Sequence, residues 1–254
     1  MTIETSIRGR VLWATIERES ALNSLDIPHL NALVDMYRHA KSEAAIQAVV
    51  LTGKGRAFSV GADIKAMDVM TDAQFAEAAE LYQSMCREAR ALDKPVIAAI
   101  NGFCLSGGLE VALMADIRIA GRSAKLGLTD AELGFSPTGG LTYLLNHIVG
   151  AGWALHLAMS AQVLTGEEAL RIGLITQLVE DAELEPKALA LGQRLGAYPP
   201  TGMKNIKRSF NAALEASLAS TLTLEAEYDA ACYRSTETRQ ALRDFIESRR
   251  KRKG

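Results

Sequence analysis

Lys94-Pro-Val-Ile-Ala-Ala-Ile-Asn-Gly-Phe-Cys-Leu-Ser-Gly-Gly-Leu-Glu-Val-Ala-Leu-Met-Ala-Asp-Ile-Arg-Ile-Ala120 holds a strand, a turn and a helix start in one run. Val96 to Ile100 is a short, unbroken apolar run behind Lys94-Pro95, the pattern of a strand buried on both faces. Asn101-Gly102 ends it. Gly107-Gly108 then opens a helical pattern, Leu109 to Ala115, so two small residues sit where a helix N-terminus presents unpaired backbone N–H groups. Glu110 falls in the first turn, beside those donors. Donors that hold an oxyanion and a carboxylate that works on the neighbouring atom are the chemistry this arrangement implies.

Outward from that segment, the composition is that of an ordinary globular chain: 254 residues, 48% hydrophobic and 23% charged, with a formal net charge of −2. The length suffices for one large core or two small ones. The acidic balance, with a pI near 6.1, argues against nucleic acid as a partner. Cys86, Cys104 and Cys232 are too few and too scattered for a disulfide framework or a zinc site, which favours a reducing compartment. Met1-Thr2-Ile3-Glu4 begins no apolar leader and no apolar run is long enough to span a bilayer, so a cytoplasmic protein without a membrane partner is expected.

In chain order, Ile3 to Ile16 carries two strand-like runs broken at Arg8-Gly9-Arg10, and a helix is expected from Pro28 to Ser42. Ala48 to Thr52 reads as a strand and Gly53 to Gly61 as a glycine-punctuated loop. Thr71-Asp72-Ala73-Gln74 matches a capping box, from which an alanine-rich helix runs to about Leu92. Beyond Ala120 the pattern is strand (Lys125 to Leu128), helices (Gly139 to Val149, Gly152 to Met159, Gly166 to Ile172), strand (Ile175 to Val179) and then almost only helix. Alternating strands and helices predict an α/β fold with parallel pairing and right-handed crossovers. Pro199-Pro200 marks a boundary between a core, residues 1–198, and a helical region, residues 199–254.

Pro-Val-Ile-Ala-Ala-Ile-Asn-Gly, Gly-Gly-Leu-Glu and Ala-Asp-Ile-Arg-Ile-Ala within this segment resemble the signature of the crotonase, or enoyl-CoA hydratase/isomerase, superfamily. Ala21-Leu22-Asn23, Val49 to Gly53, Ala57 to Lys65 and Leu164 to Ala169 match further phrases of that family in the same order. The resemblance implies a β-β-α spiral with two roughly perpendicular sheets, and a C-terminal helical region used for trimerisation, usually within a dimer of trimers. It also implies a cofactor-independent enzyme whose substrate is an acyl-CoA thioester, coenzyme A being part of the substrate.

Carried over position by position, the resemblance puts the two oxyanion-hole donors on the backbone N–H groups of Ala62 and Gly107. Each such donor to a thioester enolate contributes about 3 to 4 kcal/mol. A hydratase needs two carboxylates around one water, one to position or deprotonate it and one to deliver the α-proton. They fall on Glu110 and on Asp130, where hydratases of the family usually carry glutamate. Aspartate withdraws the acid by about 1.5 Å, and misplacement on that scale costs about a hundredfold in rate. Glu132 is the alternative second acid; in an extended segment it points to the same side as Asp130, displaced along the strand. Asp116, at the end of the helix, reads as structural.

For coenzyme A, the resemblance implies contacts at Ala21, Leu22, Asp63 and Ile64, mostly through backbone, and at Phe245 from a neighbouring subunit. Glu19 and Ser20 stand where relatives have proline and lysine, and Ser248 stands where lysine is expected, which implies a weaker phosphate grip; Arg249, Arg250 and Lys251 could supply the charge. The acyl pocket is expected along Ala66 to Met85. Gly53-Lys54-Gly55 lacks P-loop spacing, Ser106 lacks the glycine of a nucleophile elbow, and His29, His39, His147 and His156 are too dispersed for a triad or a metal cluster. Hydration of a 2-enoyl-CoA to a 3-hydroxyacyl-CoA is the activity expected first. A 3,2-enoyl-CoA isomerase, which needs a single carboxylate, comes second; hydrolysis, decarboxylation and ring cleavage use the same oxyanion hole, and a non-catalytic acyl-CoA-binding relative is disfavoured by intact Ala62, Gly107 and Glu110.

Overall fold

The structure is a computed structural model that describes residues 2–214 and, beyond them, 227–228, 230–232, 234–238 and 240. Phe245, Ser248 and the basic residues after it lie outside the described residues. The chain runs β1 (Ile3–Arg8), β2 (Val11–Ile16), α1 (Ile27–Ser42), β3 (Ala48–Gly53), β4 (Ala57–Ser59), α2 (Ile64–Met67), α3 (Asp72–Ala91), β5 (Val96–Ile100), β6 (Phe103–Leu105) and α4 (Gly107–Leu113). It continues through β7 (Ile117–Gly121), β8 (Lys125–Gly127), α5 (Leu141–Ser160), β9 (Val163–Thr165), α6 (Gly166–Arg171), β10 (Gln177–Val179), α7 (Asp181–Gly196) and α8 (Pro200–Ala213). No described helix is long and apolar enough to cross a membrane.

Two sheets form. The larger has the order β1-β2-β3-β5-β7-β10, antiparallel at β1-β2 and parallel elsewhere. The smaller has the order β4-β6-β8-β9, parallel except for the β8-β9 pair. From β3 to β8 each strand of the large sheet is followed at once by one of the small sheet, and three successive turns of this β-β-α spiral add neighbours to both sheets. The expected α/β class and spiral are therefore present.

The period of 2 along the large-sheet strands divides the core. Leu12, Ala14 and Ile16 of β2, Val49 and Leu51 of β3 and Val96, Ala98 and Ile100 of β5 face the main core with α1 and α3. Val11, Trp13, Ala48, Val50, Ile97 and Ala99 face the opposite side, where Leu184, Ala188 and Leu191 of α7 cover them. A strand apolar on both faces is what this sandwiching requires, hence the unbroken run at Val96 to Ile100.

Several expectations need correction. The stretch Gly53 to Gly61 is not loop throughout but contains β4, and β6 and β9 likewise fall where no strand is expected. Each is three residues long, too short to show a period. The two helices expected on either side of Gly150 are present, parted by a kink at Gly150, whose φ of 78° and ψ of 157° are non-helical, and are taken together as α5. Asp130–Leu133 is a 3-10 turn rather than extended chain, so Glu132 does not share the side of Asp130 and is exposed. The capping box at Thr71 and Gln74 and the N-terminal hairpin are present as expected.

α8 begins at Pro200, and Asp116 is structural, as expected. Its Oδ2 accepts from the Val96 N–H at 2.8 Å and from Lys207 Nζ at 2.9 Å, tying β5 to α8. Lys207 also donates to the carbonyls of Ala89 and Lys94 and is only 9% exposed. We expect Asp116→Ala to lower unfolding free energy by about 2 kcal/mol, because it strips a charged acceptor from a nearly buried ammonium. Urea unfolding checks this; a loss below a few tenths of a kcal/mol would contradict the assignment.

Candidate active site

β4, β6 and β8 are adjacent and parallel in the small sheet, and their C-terminal ends open on one cavity of about 390 Å³. Open α/β sheets place ligands beyond the C-terminal ends of their strands. The chain leaving β4 carries Ala62, the chain leaving β6 carries Gly107 and Glu110, and the chain leaving β8 carries Asp130; all four line the cavity.

Ala62 forms an isolated parallel bridge with Leu25: the Leu25 N–H donates to the Gly61 carbonyl at 2.7 Å, and the Asp63 N–H donates to the Leu25 carbonyl at 3.0 Å. The alternation of an extended chain then turns the N–H of Ala62 itself away from Leu25, toward the cavity side. Gly107 is the first residue of α4, so its N–H has no intrahelical acceptor. The two donors are close neighbours, since a β-carbon on Gly61 would stand 2.7 Å from the nitrogen of Gly107. The helix start has no room for larger residues either. A β-carbon on Gly107 would meet Tyr82 Oη at 2.3 Å, and one on Gly108 would meet the Ser59 carbonyl oxygen at 2.1 Å.

Ser106, the residue before α4, has φ of 47° and ψ of −121°, a backbone conformation that costs a non-glycine residue about 1 to 3 kcal/mol. Its surroundings hold it there. Ser106 N–H donates to the Gly127 carbonyl at 2.9 Å, its Oγ accepts from the Thr129 N–H at 3.1 Å, and the Ser106 and Thr129 hydroxyls are 2.9 Å apart. The clasp joins the exits of β6 and β8 and so fixes Asp130 relative to α4.

Glu110 is 2% exposed. Its Oε1 accepts from the Thr138 N–H at 2.7 Å, and its Oε2 is buried without a hydrogen-bond partner among the described residues. Burial pushes its carboxyl up from the ordinary 4.5 to about 7, opposed by the Thr138 N–H and reinforced by the charge of Asp130. Asp130 is half-buried, and its Oδ2 is likewise buried and unpartnered. Two carboxylates therefore reach one largely apolar cavity, each with an oxygen uncommitted to protein.

The rest of the cavity wall comes from Met67, Met70, Phe75, Ala78 and Tyr82, within the expected segment Ala66 to Met85, and from Leu133 and Phe135 after Asp130. Phe75 and Phe135 stack with centroids 6.0 Å apart, joining the two walls. Of the residues expected at coenzyme A, Ile64 lines the cavity whereas Ala21, Leu22 and Asp63 lie outside its wall. The Asp63 side chain is committed elsewhere: it caps α2 at the N–H groups of Lys65 and Ala66 and pairs with Arg18 at 2.6 Å. Leu22, with φ of 52°, accepts through its carbonyl from the Val60 N–H, so the stretch bearing Ala21 and Leu22 runs beside the chain leaving β4.

Sequence reasoning missed Tyr82, Thr138 and the Ser106–Thr129 clasp. Tyr82 sits in an alanine-rich helix with no local signal beyond its apolar spacing, and Thr138 contributes through its backbone. Among the described residues no group of three or more His, Cys, Asp or Glu could hold a metal ion.

The raised carboxyl of Glu110 has a stability consequence. Between about 4.5 and 7 the folded protein keeps a proton that the unfolded chain has released, so this group's contribution is complete below about 4.5 and lost as pH rises to about 7. Glu110→Gln should therefore gain stability over the parent at pH 8, by up to about 3 kcal/mol at about 1.4 kcal/mol per pH unit, with the gain shrinking toward pH 4.5. Urea unfolding at pH 5 and pH 8 checks it, and a pH-independent difference would contradict it.

The model of the enoyl-CoA hydratase/isomerase family matches residues 6–253. The chain is 35% identical over 243 residues to the short-chain-enoyl-CoA hydratase of Clostridium acetobutylicum, covering 95% of this chain and 93% of that protein. It is 32% identical over 236 residues to the crotonyl-CoA hydratase of Syntrophomonas wolfei, covering 92% and 91%. The crystal structure of an enoyl-CoA hydratase from Bacillus anthracis aligns with a TM-score of 0.94 at 30% identity, over 98% of this chain and 97% of that one. With its spiral fold, its paired donors and a match along nearly its whole length, this chain belongs to the enoyl-CoA hydratase/isomerase family.

Proposed function

We propose that the protein hydrates 2-enoyl-CoA thioesters to 3-hydroxyacyl-CoA, with Ala62 and Gly107 as the oxyanion hole and Glu110 and Asp130 as the acid/base pair. The observation that carries this is the pair of unpartnered carboxylate oxygens, Glu110 Oε2 and Asp130 Oδ2, on the same cavity wall as Ala62 and Gly107. The names of the relatives, a short-chain-enoyl-CoA hydratase and a crotonyl-CoA hydratase, support the substrate class.

In this reading the thioester oxygen accepts from the N–H groups of Ala62 and Gly107, which stabilise the negative charge that gathers there as the β-carbon is attacked. Glu110, ionised, takes a proton from water as the water oxygen bonds to the β-carbon. Asp130, protonated at the start of the step, delivers its proton to the α-carbon, the enolate collapses to the thioester, and the proton taken up by Glu110 passes through solvent to Asp130, restoring both groups. No electrons are transferred, so the reaction calls for no redox cofactor. A carboxyl displaced to about 7 serves this well, because it ionises at neutral pH yet is basic enough to accept a proton. Coenzyme A would lie over Ala21, Leu22, Asp63 and Ile64, with Phe245 contributed by a neighbouring subunit.

A 3,2-enoyl-CoA isomerase is the second reading, favoured by one observation: Glu110 is almost fully buried with a displaced carboxyl whereas Asp130 is half-buried, and a single such group can carry a proton between the α- and γ-carbons. We further propose a cytoplasmic trimer or dimer of trimers, with residues 199–254 as the helical oligomerisation region. Exposed apolar side chains at Trp153, Leu155 and Met159 of α5 and at Ile206 and Phe210 of α8 support assembly, and sedimentation velocity tests it.

Incubation with crotonyl-CoA and 3-hexenoyl-CoA in deuterated buffer, followed by NMR, tests the activity. Expected are loss of the crotonyl double bond, a β-hydroxyl and deuterium at the α-carbon, and a fall of about a hundredfold or more in Asp130→Asn. Migration of the 3-enoyl double bond without hydration would establish the isomerase instead. Because Glu110 must be ionised, kcat/KM should rise with pH toward about 7 along its ascending limb; a profile flat from pH 5 to 8 would remove Glu110 from the base role.

A further inference from the structure

Three buried side-chain oxygens on the cavity wall have no partner among the described residues: Glu110 Oε2, Asp130 Oδ2 and Tyr82 Oη. The first two are carboxyl oxygens, which the proposed reaction uses to take up a proton at Glu110 and to deliver one from Asp130. The third is a hydroxyl to which that reaction gives no part. Burying an O–H without an acceptor costs about 1 to 3 kcal/mol, and phenylalanine would fill the same volume without that cost. The hydroxyl is therefore not explained by packing.

Its position is well defined. Tyr82 is 5% exposed on α3, a helix capped at Thr71 and anchored by buried Met85 and Ala89. A β-carbon on Gly107 would lie 2.3 Å from Tyr82 Oη and 2.9 Å from Cζ, so the phenol tip rests against the α-carbon of the residue whose N–H opens α4. Burial, and then the charges of Glu110 and Asp130, hold the phenol well above its ordinary range, so it keeps its proton and acts as a donor rather than a base. A donor fixed beside Gly107, with no acceptor from the protein, fits an acceptor that arrives with the substrate at that spot.

We propose that Tyr82 is a third oxyanion donor, its O–H donating to the thioester oxygen held by the N–H of Gly107. The inference rests on the reading of Ala62 and Gly107 as the oxyanion hole. The phenol stays protonated throughout, and no covalent bond to it forms or breaks.

The test uses butyryl-CoA labelled with ¹³C at the thioester carbonyl, a saturated ligand that is neither hydrated nor isomerised. Hydrogen-bond donation to the carbonyl moves its ¹³C resonance downfield, which a purely structural tyrosine would not influence. The expected result is a downfield shift on binding the parent protein, a smaller shift with Tyr82→Phe, and the parental shift with Tyr143→Phe, which removes another buried, unpartnered hydroxyl outside the cavity. Turnover of crotonyl-CoA by Tyr82→Phe should fall about a hundredfold in kcat, with KM nearly unchanged and the thermal midpoint not lowered. Equal carbonyl shifts in the parent and Tyr82→Phe would overturn the proposal, whatever happens to kcat. If the parent polarises the carbonyl but does not hydrate crotonyl-CoA, the hydratase reading fails while the Tyr82 comparison still decides this one. Absence of any shift in the parent would overturn both.

Discussion

The close approach of three chain segments at the start of α4 is the constraint on which the rest of the molecule depends. Ser59 and Tyr82 leave no space for a β-carbon at Gly108 and Gly107, and the nitrogen of Gly107 leaves none at Gly61. Removing three side chains lets the exit of β4, the exit of β6 and helix α3 meet at van der Waals distance. The strained backbone of Ser106 belongs to the same contact, held by its hydrogen bonds to Gly127 and Thr129. Two backbone donors thereby become neighbours without either being consumed by secondary structure, a condition that ordinary helices and sheets do not meet in their interiors.

The spiral explains why the remaining groups fall where they do. Each of three successive turns adds one strand to the small sheet, and each strand exit supplies one part of the site: a donor after β4, a donor and a carboxylate after β6, a second carboxylate after β8. Adjacent parallel strands keep these exits about 5 Å apart, close enough for groups from all three to surround one thioester and its attacking water. The apolar wall formed by Met67, Met70, Phe75, Leu133 and Phe135 then does electrostatic work. Excluding water raises the carboxyl of Glu110 to neutrality, and the same exclusion strengthens any donor aimed at a developing charge.

Legibility in the sequence followed element length and locality. β2, β3 and β5 are five or six residues long and apolar on both faces, so their patterns stand out. β4, β6 and β9 have three residues each, and their assignment depends on partners far away in sequence. Of the small sheet, which carries the site, only β8 is legible in the sequence. Glu132 shows the same limit: its direction follows from a 3-10 turn that no local period announces. Asp63 shows another, since capping α2 and pairing with Arg18 occupy its side chain.

Local chemistry was readable because it resides in residue types and short spacings. Glycines at 107 and 108 and a glutamate in the following turn follow from the chain itself, while the aspartate at 130 and the kind of reaction are what the family resemblance implies. Relations between distant segments belong to tertiary structure alone. The isolation of Oε2 on Glu110, the clasp between Ser106 and Thr129, and the hydroxyl of Tyr82 against Gly107 join positions 23 to 28 residues apart, and only folding sets the distances and dielectric there. Electrostatic energy scales inversely with both, so composition named the acids and packing decided what each one does.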